Sequence, residues 1–143
     1  MPIRKAEAEW NGTLTKGSGT LSSESGAVKG SYSFSSRFEN GRGTNPEELI
    51  GAAHAGCFSM ALSMILEQSG FIPKKIRTTA KVHVDKADNG FAITLIELET
   101  QGQVDGIDEK TFIEKAEAAK KGCPVSQALA ATRITLQARL IRG

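Results

Sequence analysis

The chain has 143 residues, 39% of them apolar and 24% charged, with a net charge of +2 and two cysteines. That length fits a single domain spanning 1–143, able to bury about two thirds of its unfolded surface without a disulfide or metal staple. The basic residues are scattered, not gathered into a stripe, which argues against nucleic acid as a partner.

The N-terminal stretch MPIRKAEAEW has no apolar core segment of the kind a secretory leader carries. Residues 3 to 10 alternate polar and apolar positions and read as a strand. Asn11-Gly12 is a hairpin signal, and Thr13 to Ser22 reads as the return strand. GSGTLSSESG is glycine-rich but leads into no helix and lacks phosphate-loop spacing. Tyr32 to Phe38 reads as a third strand. Tyr32, Phe34, Ser36 and Phe38 would share one side, with Arg37 on the other.

The run NGRGTNPEEL enters a long helix. Thr44 or Asn45 suits the N-cap, Pro46 the first helical position, and Glu47 and Glu48 the positive end of the dipole. The helix is expected over Pro46 to about Gln68, ending at Gly70. Leu49 to Leu66 carries no charge, which touches the lower length limit for a membrane span. His54, Ser59, Ser63 and two glycines favour a core helix over a span. Beyond it, Ile76, Thr78, Ala80, Val82 and Val84 alternate with polar residues as a half-buried strand. Asp88-Asn89-Gly90 turns the chain, and Phe91 to Val104 returns. Asp108 to Lys121 is an amphipathic helix stopped by Gly122. CPVSQALAA starts a short helix, and Ile134 to Leu140 is a last strand.

The order β-β-β-α-β-β-α-α-β is rich in hairpins, so the fold class is α+β with antiparallel sheets around a long central buried helix. That helix is apolar on nearly every side and must be covered all round. A homodimer that sandwiches two such helices between sheets would do so.

Two cysteines without a secretory leader point to a reducing compartment, the cytoplasm, where a pair is catalytic, metal-binding or inert more often than a permanent disulfide. Cys123 precedes Pro124, at or next to an N-cap, where unpaired N–H groups stabilise a thiolate. The bland alternative is a small residue in a turn. Cys57 lies about three turns into its helix, where the dipole no longer helps and burial raises the thiol pKa. It is core packing unless a cation reaches it, either His54 three residues earlier or an Arg from elsewhere. His54, a lone histidine on an apolar helix, reads more readily as a hydrogen-bonded core residue. A metal site from His54, Cys57, Cys123 and His83 is disfavoured: His83 projects from the polar side of a strand, and structural zinc ligands come in short-spaced pairs. No strand–Gly-x-Ser-x-Gly–helix elbow supports a serine nucleophile.

RFENGRGTNPEELIGAAHAGCFSMALS and KKGCPVSQAL resemble the OsmC branch of the OsmC/Ohr family of thiol-dependent hydroperoxide reductases. AEAEWNGTLTKGSGTLSSESG is similar to the start of the same branch. The resemblance covers nearly the whole chain. It implies an intertwined α+β homodimer, a thiol peroxidase preferring organic hydroperoxides, and a role in oxidative and osmotic stress. No cofactor or metal is implied, and no membrane partner. By position, Cys57 would attack the peroxide, Cys123 would resolve it, Arg37 would be the activating cation and Glu47 would hold that Arg. A dithiol would reduce the disulfide, lipoyl groups being the reductant that the family resemblance implies. Met60, Met64 and Phe58 are candidates for pocket lining or plain core. Glu47 and Cys57 are ten residues apart on one helix, about 15 Å of rise. Arg37 and Glu47 of one chain would therefore serve Cys57 of the other. The competing class is a redox-sensing or thiol-metal dimer without turnover.

Overall fold

A computed structural model of the chain describes residues 1–142. The chain divides into two compact units, Met1–Leu49 and Ile50 onward.

The first unit is a meander of β1 (Ala6–Asn11), β2 (Ser18–Ser23) and β3 (Lys29–Tyr32), followed by the short helix α1 (Phe34–Phe38). All its strand pairings are antiparallel. The expected hairpin exists, but its loop is wider than Asn11-Gly12 suggests. Asn11 pairs with Ser18, and Gly17 N donates to Thr13 O at 2.8 Å inside the loop. Gly19 lies opposite both Trp10 and Tyr32, and a Cβ there would run into both rings. The glycine lets those rings meet, with centroids 5.3 Å apart.

The strand expected over Tyr32 to Phe38 is a correction. Only Lys29–Tyr32 is extended, and Phe34–Phe38 is helical. Ser33 caps the helix: its hydroxyl accepts from Ser36 N at 3.1 Å, and Ser36 Oγ accepts from Ser33 N at 2.8 Å. This reciprocal box satisfies two orphan donors. Phe34 and Phe38, one turn apart, then meet in a tilted pair with ring centroids 5.1 Å apart. Arg37 is adjacent to Phe38 on the helix, its guanidinium 5.1 Å from that ring's centroid.

α2 (Pro46–Gln68) has the expected limits. Asn45 Oδ1 accepts from Glu48 N at 2.8 Å, which settles the N-cap in favour of Asn45. Gly70, at φ +89, ends it, and Phe71 N donates to Leu66 O. α2 passes from the first unit into the second.

In the second unit, β4 (Pro73–Ala87), β5 (Gly90–Val104) and β6 (Arg133–Leu140) form a sheet in the order β4-β5-β6. β4 and β5 are an antiparallel hairpin. The expected α+β fold with antiparallel pairing and a long helix is present, with one exception in pairing: β5 and β6 are parallel, so this second sheet is mixed. The cause is the crossover through α3 (Glu109–Gly122) and α4 (Pro124–Ala128), which returns the chain to the end where β5 began. His54, Phe58, Leu62 and Leu66, four residues apart, are the wholly buried face of α2. The three apolar residues pack with Ile96 and Leu98 of β5 and Phe112, Ala116 and Ala119 of α3. The expected all-round burial of α2 is not met within one chain: Ala53, Gly56, Met60 and Met64 are exposed. Phe58 is core, whereas Met60 and Met64 are 77% and 53% accessible.

Candidate active site

Cys57 lies one position from the buried stripe of α2, so its side chain is half-buried. Cys123 is the single residue between α3 and α4, closing one and opening the other. Its N–H donates to Ala119 O, its C=O accepts from Gln127 N, and its backbone is extended at φ −58, ψ 125. Pro124, whose ring suits a first helical position, makes that break. The Cys123 side chain is wholly buried and faces α2. The two sulfurs are 2.9 Å apart, both as free thiols. Residues 66 apart in sequence thus come close enough to bond with little further movement.

The pair is electrostatically unequal. Burial pushes the Cys57 thiol up, and its hydrogen bond to Cys123 adds to that, with the Val125 N–H partly offsetting both. Burial also opposes ionisation of Cys123. There it is outweighed by the hydrogen bond with Cys57, by the Ser126 amide and hydroxyl, and by the Val125 amide, so this thiol is held below its ordinary value. The opening amides of α4 favour negative charge at the N-cap without any completing a capping hydrogen bond to the sulfur. The expectation of Cys123 as the easier thiolate agrees with this arrangement.

His54 is wholly buried one turn before Phe58. Its Nε2 is 2.7 Å from Ser126 Oγ, and its Nδ1 is buried with no hydrogen-bond partner. Burial lowers its pKa, so the ring is neutral near pH 7. Of the four residues considered for a metal site, His83 is elsewhere on β4, its Nε2 2.6 Å from Glu97 Oε2. Among the described residues no three His, Cys, Asp or Glu side chains gather as a metal set.

Arg37 and Glu47 form the second constellation, inside the first unit. Arg37 Nε donates to Glu47 Oε1 at 2.7 Å and to Oε2 at 3.3 Å. The carboxylate side chain is 8% accessible and the Arg side chain 37%. The loop between them is pinned to α1, with Ser36 Oγ donating to Thr44 O and Asn45 Nδ2 to Ser36 O. Using Nε for Glu47 leaves the terminal nitrogens of the fork for another acceptor. Beside this guanidinium is a cavity of about 230 Å³ lined by Trp10, Leu14, Tyr32, Phe34, Phe38 and Arg37 itself.

The structure thus brings Cys57 to Cys123 and Arg37 to Glu47. Sequence reasoning missed Ser126, whose signal was its place three residues after an N-cap cysteine. It also missed the aromatic cluster beside Arg37, signalled by two phenylalanines four apart.

A protein-family model described as OsmC-like protein matches residues 39–138. Peroxiredoxin OsmC of Escherichia coli strain K12 is 54% identical over 138 residues, which is 96% of each chain. The organic hydroperoxide resistance protein OhrB of Bacillus subtilis strain 168 is 36% identical over 63% of this chain and 65% of its own. The crystal structure of Bacillus subtilis OhrB superposes with a TM-score of 0.73, covering 96% of this chain and 98% of that one, at 22% identity. That last likeness establishes the shared fold. With the family match spanning most of the chain and a near full-length relative at such identity, this protein belongs to the OsmC branch of the OsmC/Ohr family.

Proposed function

We propose that the protein is a thiol peroxidase that reduces organic hydroperoxides, and hydrogen peroxide more weakly, to alcohol and water. The observation that carries this reading is the reduced thiol pair, 2.9 Å apart, with one sulfur half-buried and the other enclosed. The names of the relatives, a peroxiredoxin and an organic hydroperoxide resistance protein, support it.

In the cycle, the Cys57 thiolate attacks the distal peroxide oxygen. The O–O bond breaks, the alkoxide leaves and takes a proton, and Cys57 becomes a sulfenic acid. Cys123 displaces the hydroxyl group from Cys57 sulfur, giving the disulfide and water. An external dithiol reduces that bond by thiol exchange. Arg37, held by Glu47, stabilises the attacking thiolate and the departing alkoxide. The aromatic cavity beside Arg37 takes the alkyl part of the substrate.

The working unit is a homodimer in the cytoplasm. Support for the dimer comes from α2, whose Ala53, Gly56, Met60 and Met64 stripe is uncovered in one chain. Support for sharing across it comes from α2's unbroken run between Glu47 and Cys57, about 15 Å of rise, more than an Arg bridges. Arg37 and Glu47 of one chain therefore serve Cys57 of the other.

The test is consumption of an organic hydroperoxide with excess dithiol by wild type, Cys57→Ser and Cys123→Ser. Many turnovers, lost in Cys57→Ser, are the expected result. A single equivalent consumed by wild type would replace the enzyme with a redox sensor. For assembly, Met60→Glu should shift the mass measured by light scattering to that of one chain; an unchanged mass refutes the α2 interface.

A further inference from the structure

The His54–Ser126 contact has no part in the cycle above, yet it is costly to build. A buried, neutral imidazole has one N–H, and here only one ring nitrogen has a partner. Placing the proton on Nδ1 would leave a buried donor with nothing to bond, among the rarest defects in folded proteins. Placing it on Nε2 makes His54 the donor and Ser126 Oγ the acceptor. The Ser126 hydroxyl hydrogen is then released to point elsewhere. Ser126 is the third residue of α4, and a side chain at that position reaches back toward the N-cap residue, here Cys123. Ser126 and Cys123 are both buried, the Ser126 side chain is one of the hydrogen-bonding groups that hold the Cys123 thiol below its ordinary value, and Cys57 Sγ lies 2.9 Å from Cys123 Sγ.

We propose that His54 and Ser126 form a buried relay, Nε2–H to Oγ–H to Cys123 Sγ, that holds Cys123 as the attacking thiolate and so sets the rate of disulfide closure. This rests on the peroxidase reading. His54 and Ser126 are positioning residues: neither touches the peroxide. In the step they serve, the Cys123 sulfur attacks the Cys57 sulfenic sulfur, an S–S bond forms and the S–O bond breaks. The departing hydroxide takes up the proton that Cys123 lost, giving water. Oxidation states balance, since both sulfurs end at the disulfide level. Without the relay Cys123 holds its proton more tightly, closure slows, and the exposed sulfenic acid lasts long enough to be over-oxidised.

The experiment mixes reduced protein with one equivalent of an organic hydroperoxide, quenches at intervals, and counts sulfenic, disulfide and sulfinic forms by mass spectrometry. Wild type is compared with Ser126→Ala, His54→Leu and His54→Gln, whose amide can donate as Nε2–H does. Sulfenic acid should form in all four, and no more slowly in Ser126→Ala and His54→Leu than in wild type, since a Cys123 that keeps its proton raises the Cys57 thiol less. Closure should slow roughly tenfold in Ser126→Ala and His54→Leu, the order expected for one lost hydrogen bond to a charged group, with sulfinic acid accumulating. His54→Gln should close near the wild-type rate, which a purely structural role for the ring would not produce. Nitrogen NMR of wild-type His54 should show the Nε2–H tautomer. An Nδ1–H tautomer, or unchanged closure in both Ser126→Ala and His54→Leu, overturns the relay. If wild type forms no sulfenic acid at all, the peroxidase reading fails. The relay is then decided by the tautomer and by disulfide closure rates with oxidised dithiothreitol.

Discussion

Consider oxidation of the Cys57–Cys123 pair with the rest of the fold left intact. The sulfurs already stand 2.9 Å apart and the positions are 66 residues apart in sequence. A cross-link over a loop of that length removes unfolded-chain entropy worth about 4 kcal/mol at 25 °C. In a chain of 143 residues each kcal/mol moves the midpoint by roughly 2–4 °C, so oxidised protein should melt roughly 8–16 °C above reduced protein. The assay is calorimetry on matched samples, one in excess dithiol and one oxidised by a single equivalent of hydroperoxide. Protein concentration is held equal, because self-association makes the midpoint concentration-dependent. Cys57→Ser should erase the difference. An oxidised form that melts at or below the reduced one would refute the reasoning, for it would mean that the bond can close only by distorting the helices that carry it.

Three further perturbations follow from particular contacts. Gly102→Ala would drive a Cβ into the edge of the buried Phe112 ring, and should cost about 1–3 kcal/mol in denaturant unfolding. Gly102→Ala/Phe112→Leu should recover part of that loss. Arg37→Ala strands the buried Glu47 carboxylate, costing about 1 kcal/mol because the Arg side chain is itself partly exposed. The same change should lower kcat/KM by about a hundredfold or more if the guanidinium stabilises the transition state, while Glu47→Gln loses less stability. His54 has a folded pKa below its unfolded value, so the unfolded chain binds the extra proton as pH falls below about 6.5. Stability is unaffected by this group above that pH. Below it, stability falls by up to about 1.4 kcal/mol per pH unit until the folded pKa is reached. His54→Gln should flatten that part of the unfolding curve, and an unchanged slope would assign the acid sensitivity to other groups.

The long helix and the β4–β5 hairpin were legible because their signals are local and redundant. Asn45, Pro46 and the Glu47–Glu48 pair mark one end of α2 and Gly70 the other, so several physical rules agree on its limits. α1 was misread because apolar residues at 34 and 38 satisfy a two-residue and a four-residue period equally. The Ser33–Ser36 capping box decides between them, and it works only once the backbone turns. The parallel β6 was not legible, since strand direction there depends on where a crossover lands rather than on alternation within the strand. Both cysteines stood out from their surroundings, Cys57 by its apolar helix and Cys123 by the proline after it. Their contact did not follow from spacing, and neither did the Ser126–His54 contact across 72 residues.

Ease of ionisation and access to substrate point to opposite members of the thiol pair, and the proposed cycle uses that split. Cys123 is the better thiolate by local electrostatics, but it is wholly enclosed, so a hydroperoxide has no line of approach to its sulfur. Cys57 ionises less readily, yet it is the half-exposed member. A thiolate from a higher-pKa thiol is the stronger nucleophile once formed, so lifting the Cys57 pKa lowers its ionised fraction and raises the reactivity of that fraction. A guanidinium recruited with the substrate would correct the fraction at the moment of reaction, leaving the resting thiol inert toward other electrophiles. The second step has different needs. Resolution involves no diffusing partner, so an enclosed thiolate already touching the sulfenic sulfur loses nothing by being inaccessible. On this reading, exchanging the two roles would expose the readily ionised thiol and bury the attacking one. Turnover surviving in Cys57→Ser but not in Cys123→Ser would show that ionisation, not access, governs which sulfur meets the peroxide.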